Sequence, residues 1–223
     1  MAIVSIDSSS DSLYIALETQ DGISYKSFPD LRRADKKLLD GVLEITEEHR
    51  VSLDDIEYFV ISEGPGSFTS LRIASSVAKG FTFSKGIRIK SVSSLLTLAL
   101  SYKPCVQDRV VIPLIDAKMN RFYSSAFQNG ERICEDEDIS FENILKKPYD
   151  KVTFVTHPDE TDKVLSLIDS SLINYFKKDV CFAKKDDIQN PAVTMIKIAK
   201  NLGFDDYGKG PKYVREHSGL CKG

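Results

Sequence analysis

The sequence predicts an α/β protein of two lobes, each with a mixed sheet, and three observations carry that prediction. Each half of the chain opens on short β-branched or alternating segments joined by tight turns. Each half then alternates between helical spacing and apolar strand-like runs. Between them, near residue 105, the helix-stopping Lys103-Pro104 gives way to a new β-rich run from Val110. These place a first lobe at 1–104 and a second, smaller lobe with a C-terminal tail at 105–223.

Taken in order, residues 2–6, 13–17 and 23–28 read as three antiparallel strands separated by Ser/Asp-rich and Asp21-Gly22 turns. A helix is expected over 31–49, then a buried strand at 58–61. Glu63-Gly64-Pro65-Gly66-Ser67 breaks the chain, and Ser67 or Thr69 can cap a helix on which Leu71, Ala74, Val77, Ala78 and Phe81 keep helical spacing. A strand at 88–92 and a helix at 93–102 complete the first lobe. The second lobe repeats the opening: strands at 110–115 and 122–127, then an Asn129-Gly130 hairpin into Arg132-Ile133-Cys134. A strand at 152–156, a helix at 160–168 and a helix at 192–202 after Pro191 follow, and the tail from Gly203 is glycine-rich and irregular. Antiparallel openings followed by alternating helix and strand give mixed sheets, the pattern of ribonuclease-H-like, actin-like (ASKHA) folds rather than of an all-parallel Rossmann sheet.

Composition narrows the function. Thirty basic against 33 acidic residues give a formal charge of −3, so the chain as a whole offers no electrostatic footprint for nucleic acid. The four cysteines, Cys105, Cys134, Cys181 and Cys221, are too scattered for a metal knuckle and read as buried thiols of a reducing cytosol. The opening Met1-Ala2-Ile3-Val4-Ser5-Ile6-Asp7 has no basic n-region, and no apolar run reaches membrane-spanning length, so a cytoplasmic protein is expected.

The most pointed local motif is Gly64-Pro65-Gly66-Ser67-Phe68-Thr69. Gly64, Gly66, Ser67 and Thr69 could cradle phosphate at a helix start. Without a P-loop lysine or a dinucleotide fingerprint, a tight strand-to-helix turn is favoured. Asp7, at the end of the first strand, could orient a metal-bound water in an actin-like ATPase, but serines follow it where such enzymes place a glycine turn. His49, His157 and His217 have no two-histidine metal spacing, and no Gly-x-Ser-x-Gly elbow occurs, so neither a metal site nor a catalytic nucleophile is expected. His49 reads as a C-terminal helix cap.

On the 31–49 helix, Leu31, Ala34, Leu38, Val42 and Ile45 share one stripe while Leu39 and Leu43 lie to its side, an arc too wide for one neighbour. Gly41 permits a close backbone approach, and Ser75, Ser76 and Ala78 are similarly small on the next long helix. Either these two helices offer a side to another protein's helices, or the second lobe covers them. Arg32, Arg33, Lys36 and Lys37 cluster near the first helix start, and Glu135-Asp136-Glu137-Asp138 reads as a solvated loop or helix entry.

Ile6-Asp7-Ser8-Ser9, Glu63-Gly64-Pro65-Gly66-Ser67-Phe68-Thr69-Ser70-Leu71-Arg72-Ile73, Val92-Ser93-Ser94-Leu95, Ile115-Asp116-Ala117-Lys118-Met119-Asn120 and Pro211-Lys212-Tyr213-Val214-Arg215 occur in this order along the whole chain. As an ordered set they resemble the TsaB (YeaZ) family. The resemblance implies a two-lobed actin-like fold without cofactor and a catalytically silent partner of TsaD in the synthesis of N6-threonylcarbamoyladenosine next to the tRNA anticodon. It further implies that TsaE, an ATPase, joins the pair, that tRNA is met only through the complex, and that isolated chains can form homodimers on the same surface. That surface maps onto Leu38, Leu39, Val42, Leu43, Ser75, Ser76 and Lys79. Two departures stand out: Ser70 and Ala74 occupy places where the family commonly has glycine, and the His-Ser that usually opens the first helix is absent around Arg33-Ala34-Asp35. The competing readings are an actin-like kinase or ATPase, which needs an Asp-glycine phosphate turn in each lobe, and a metalloprotease, which needs paired histidines.

Overall fold

The computed structural model describes residues 2–29, 34–104 and 108–204. Expectations resting on Arg32, Arg33, Cys105, His217, Cys221, the 211–215 segment and the tail beyond 204 lie outside the described residues. The chain opens as a meander of β1 (Ala2–Asp7), β2 (Leu13–Thr19) and β3 (Gly22–Phe28), antiparallel throughout. On β2, Leu13, Ile15 and Leu17 join one core cluster while Tyr14 and Ala16 join another, so the period of two becomes two apolar sheet faces. After α1 (Ala34–Glu48), β4 (Ile56–Gly64) adds parallel to β1. Then come α2 (Phe68–Lys85), β5 (Arg88–Ser93), which adds parallel to β4, and α3 (Ser94–Ser101). The sheet order is β3-β2-β1-β4-β5.

The second half repeats that topology. A meander of β6 (Val110–Lys118), β7 (Arg121–Gln128) and β8 (Glu131–Ser140) is followed by α4 (Phe141–Leu145) and β9 (Lys151–Val155). Next are α5 (Thr161–Ser166), α6 (Ser171–Phe176), β10 (Asp179–Phe182) and α7 (Pro191–Ala199). The order β10-β9-β6-β7-β8 puts β6 in the place of β1. Ile6-Asp7 and Ile115-Asp116 therefore end equivalent strands, with Asp7 opposite Tyr14 and Asp116 opposite Phe122.

Helices are exchanged between the halves. The helix α7 lays Ala192, Val193, Met195 and Ile196 on the first sheet's Tyr14, Ala16, Tyr58 and Val60 face. The helix α3 lays Leu95 and Leu98 against Ile115 and Phe127 of the second sheet. Between the sheets the two helices touch, the Ser101 hydroxyl donating to Thr194 Oγ1 at 2.9 Å. Lys90, almost fully buried, donates to the Ala199 carbonyl at 2.8 Å, where a cation suits the carbonyl end of a helix. The outer face of the first sheet is covered by α1 and α2, and among the described residues these helices pack chiefly on each other and on that sheet rather than under the second lobe.

Two expectations are corrected. The run Glu135-Asp136-Glu137-Asp138 is neither loop nor helix entry but the middle of β8, where Arg132 engages Asp136, Arg121 Nε lies 2.6 Å from Asp138 and Lys147 holds Glu137 at 2.8 Å. Basic partners on the strand itself, across the ladder and beyond α4 allow carboxylates on a strand that sequence propensity would reject. The cysteines are not uniformly buried: Cys134 is half-buried and Cys181 exposed, both free. Among the described residues no helix is long and apolar enough to cross a membrane.

Candidate functional site

Of the two strand-end aspartates, Asp116 lines a cleft between the lobes and Asp7 is buried behind it, and each is already engaged. Asp7 is 1% exposed and accepts a hydrogen bond from the Ser9 N–H at 3.0 Å, while its Oδ2 lies 3.2 Å from His157 Nε2. His157, 2% exposed, follows β9 directly and also meets Ser9 Oγ at 3.1 Å through Nε2. Burial alone would raise the Asp7 pKa, but the hydrogen bond and charge of His157, with the Ser9 contacts, outweigh it and hold the carboxyl below its ordinary 3.8. Burial likewise works against imidazolium, yet Asp7, helped by Glu160 and Asp159, holds His157 above its ordinary 6.5. Tyr14 stacks on the imidazole with ring centroids 5.8 Å apart, and its hydroxyl accepts from the Asp159 N–H at 3.2 Å.

Serine and aspartate converge on one nitrogen of His157, so this trio lacks the relay geometry of a Ser-His-Asp triad, in which base and orienter use opposite ring nitrogens. It forms a latch joining the lobes.

Asp116 is bound differently. It accepts from the Lys118 N–H at 2.7 Å and from Lys118 Nζ at 3.1 Å, and Lys163 reaches it at 3.1 Å. The same two lysines engage Asp11 across the cleft. Burial opposes ionisation of Asp116 and Asp11, but these hydrogen bonds and charges prevail and both carboxyls sit low.

The glycine loop lies against the first of these centres. A Cβ on Gly66 would meet the Ser9 carbonyl oxygen at 2.1 Å, and the Ser67 N–H donates to that oxygen at 2.7 Å. Gly64, at φ +100°, ends β4 opposite Ser93. The loop is thus a turn clamped onto the 7–9 segment, with one amide spent inside the protein. Gly66, Ser67 and Thr69 still line a cleft of about 220 Å³, together with Ser10, Asp11, Asp116, Lys118, Tyr123 and Glu160. Among the described residues no group of three or more His, Cys, Asp or Glu side chains is placed to hold a metal.

The helix residues expected to meet a partner separate into two sets. Leu38 and Val42 belong to the chain's own core and Ser75 is buried. Leu39 at 42% exposure, half-buried Leu43 and Lys79, and exposed Ser76 remain on the outer face. The close approach at Gly41 is to the chain's own sheet, where a Cβ would meet Ile15 Cδ1 at 2.7 Å. His49 is exposed just past the end of α1.

His157 is the functional residue that spacing does not reveal. It lies 150 residues from Asp7, and only the duplicated topology, in which β9 stands where β4 does, brings it to the loop.

Fold and cleft define the class: a two-lobed actin-like protein whose strand-end aspartates are tied up internally. A family model described as TsaD, tRNA N6-adenosine threonylcarbamoyltransferase, matches residues 31–210. The tRNA threonylcarbamoyladenosine biosynthesis protein TsaB of Bacillus subtilis is 29% identical over 73% of this chain and 74% of its own length. The TsaB of Escherichia coli is 28% identical over 59% of this chain and 57% of its own. Among solved structures, YeaZ from Pseudomonas aeruginosa aligns with a TM-score of 0.73 at 20% identity, covering 95% of this chain and 99% of that one. AlfA from a B. subtilis plasmid aligns with a TM-score of 0.51 at 11% identity, over 91% of this chain and 100% of that one. The chain belongs to the family that the TsaD model describes and, within it, with the TsaB (YeaZ) proteins.

Proposed function

We propose that this chain acts in the synthesis of N6-threonylcarbamoyladenosine on tRNA as a non-catalytic subunit, pairing with a TsaD protein through the outer face of α1 and α2. The observation that carries the reading is the fate of the two strand-end aspartates. Asp7 is spent on His157, and Asp116 on Lys118 and Lys163. An actin-like ATPase needs those carboxylates free for a metal or water; freeing Asp7 would leave the buried His157 without its partner, and freeing Asp116 would break its contacts with two lysines.

The outer helix face supports the pairing half. The helices α1 and α2 pack together, with Leu39 exposed and Leu43 half-buried on α1 and Ser76, Gly80 and Phe83 exposed on α2; Phe83 is 84% exposed, and nothing lies within 4 Å of a Cβ built on Gly80. Small residues beside exposed apolar ones let a partner helix approach closely. TsaE joins this pair, tRNA is reached only through the assembled complex, and without TsaD the same face supports a homodimer in the cytoplasm.

The test mixes the purified chain with TsaD of the same organism and reads the mass by light scattering. A heterodimer that Leu39→Glu abolishes, with the variant's own melting temperature kept, is the expected result. No complex at micromolar concentration sinks the pairing. ATP hydrolysis by the isolated chain that depends on Asp7 would instead establish the kinase or ATPase reading.

A further inference from the structure

Beyond the lobe-joining latch, the cleft holds one carboxylate oxygen that no donor among the described residues reaches. Glu160 lines the cleft at 5% exposure, and its Oε1 is buried without a hydrogen-bond partner among the described residues. Asp11 and Asp116 are matched by Lys118 and Lys163, and His157, whose charge Glu160 supports, is already hydrogen-bonded to Asp7, so the carboxylate oxygen without a donor is that of Glu160. A buried carboxylate oxygen without a donor is costly, and its natural complement is an N–H or O–H brought by a ligand.

The same cleft has the opposite character on its other wall. Ser67, Phe68 and Thr69 line it where α2 begins, and no side chain caps this helix of 18 residues. An uncapped helix start favours an anionic group through its first-turn amides. The cleft, about 220 Å³, is smaller than the roughly 300–1,000 Å³ of sites for drug-sized ligands. A whole nucleoside triphosphate is a poor fit in both size and charge, because it brings no donor cation to Glu160.

We propose that this cleft is a binding site for a small zwitterion of the α-amino acid class, its carboxylate at the start of α2 and its ammonium on Glu160. The site is independent of the subunit reading, since a chain that paired with no TsaD would still carry it. The arrangement leaves a mark in the free protein as well. With no ligand bound, Glu160 Oε1 has no hydrogen bond to lose, so Glu160→Gln should melt close to the parent while losing the ligand.

Calorimetric titration of the full chain with L-serine tests this, beside ethanolamine, which lacks the carboxylate, N-acetyl-L-serine, which lacks the ammonium, and ATP and inorganic phosphate. L-Serine alone should bind, and Glu160→Gln should weaken it roughly 10- to 150-fold, the worth of a hydrogen bond to a charged group. Thr69→Tyr, at an exposed position of the first turn, should fill the cleft and abolish binding without unfolding the chain, and it decides the matter if Glu160→Gln folds poorly. The proposal is overturned if L-serine does not bind at millimolar concentration, or if ethanolamine binds equally well. It is also overturned if phosphate or ATP binds in its place, or if the Thr69→Tyr protein binds as the parent does.

Discussion

Replacing His157 by leucine tests whether the lobes are held by the buried ion pair. The imidazole fills space under the Tyr14 ring and supplies the opposite charge 3.2 Å from Asp7, which is left with the Ser9 contacts alone. Removing one partner of a buried pair costs about 3–5 kcal/mol, because the other charge stays buried and uncompensated. For a domain of this size that corresponds to a fall in melting temperature of roughly 6–20 °C, read by circular dichroism and by urea unfolding. The pair also has a pH signature. Asp7, depressed below 3.8, gives stability that is present above that value and lost as the pH falls through its folded pKa. His157, raised above 6.5, gives stability that is complete below 6.5 and lost as the pH rises through its folded pKa. The parent protein should therefore be most stable between 3.8 and 6.5 and weaken on the alkaline side, and Asp7→Asn should flatten that alkaline decline. A loss of under about 1 kcal/mol in His157→Leu, the range of an exposed pair, would refute the latch, as would an unchanged alkaline limb in Asp7→Asn.

Two further substitutions probe the supports of the site. Gly66→Ala places a methyl group 2.1 Å from the Ser9 oxygen, so the turn must shift and the Ser67 N–H loses its acceptor; overpacking and the lost bond together cost roughly 2–6 kcal/mol in urea unfolding. Wild-type stability in that variant would mean that the loop is not clamped to Ser9. Lys90→Met leaves the Ala199 carbonyl unpaired at the end of α7 and should cost about 1–3 kcal/mol. Faster amide exchange confined to α7 should accompany it, and a uniform change across the chain would count against the local cause.

What could be read from the sequence followed the physics of short range. Short-period patterning on 13–17 and helical spacing from Leu71 to Phe81 are local properties; the first became a strand buried on both faces, and the second a helix that turns Leu71, Ala74 and Ala78 into the core. Short elements carried too little pattern: α4, α6 and β10, of four to six residues each, have no full period to display. The acidic run on β8 misled because its cations, Arg132, Arg121 and Lys147, come from its own strand, from across the ladder and from beyond α4. The partner face was half legible. Spacing identified the wide apolar arc, but whether Leu38 or Leu39 points outward depends on where the sheet lies, which helical spacing does not state. His157 and Glu160 were invisible for a related reason: single polar residues after a strand acquire meaning only when the two sheets are brought face to face.

The exchange of α3 and α7 bears on how the chain is made. The inner face of the first sheet, with Tyr14, Ala16, Tyr58 and Val60, receives its cover from residues 191–199. A ribosome adding roughly 5–20 residues per second needs several seconds to pass from the end of α3 to the end of α7. Throughout that interval the first half has all its strands and yet keeps an uncovered apolar wall. Nascent chains of this protein thus have a timed window in which chaperones would find that wall, and it closes only when the last described helix arrives.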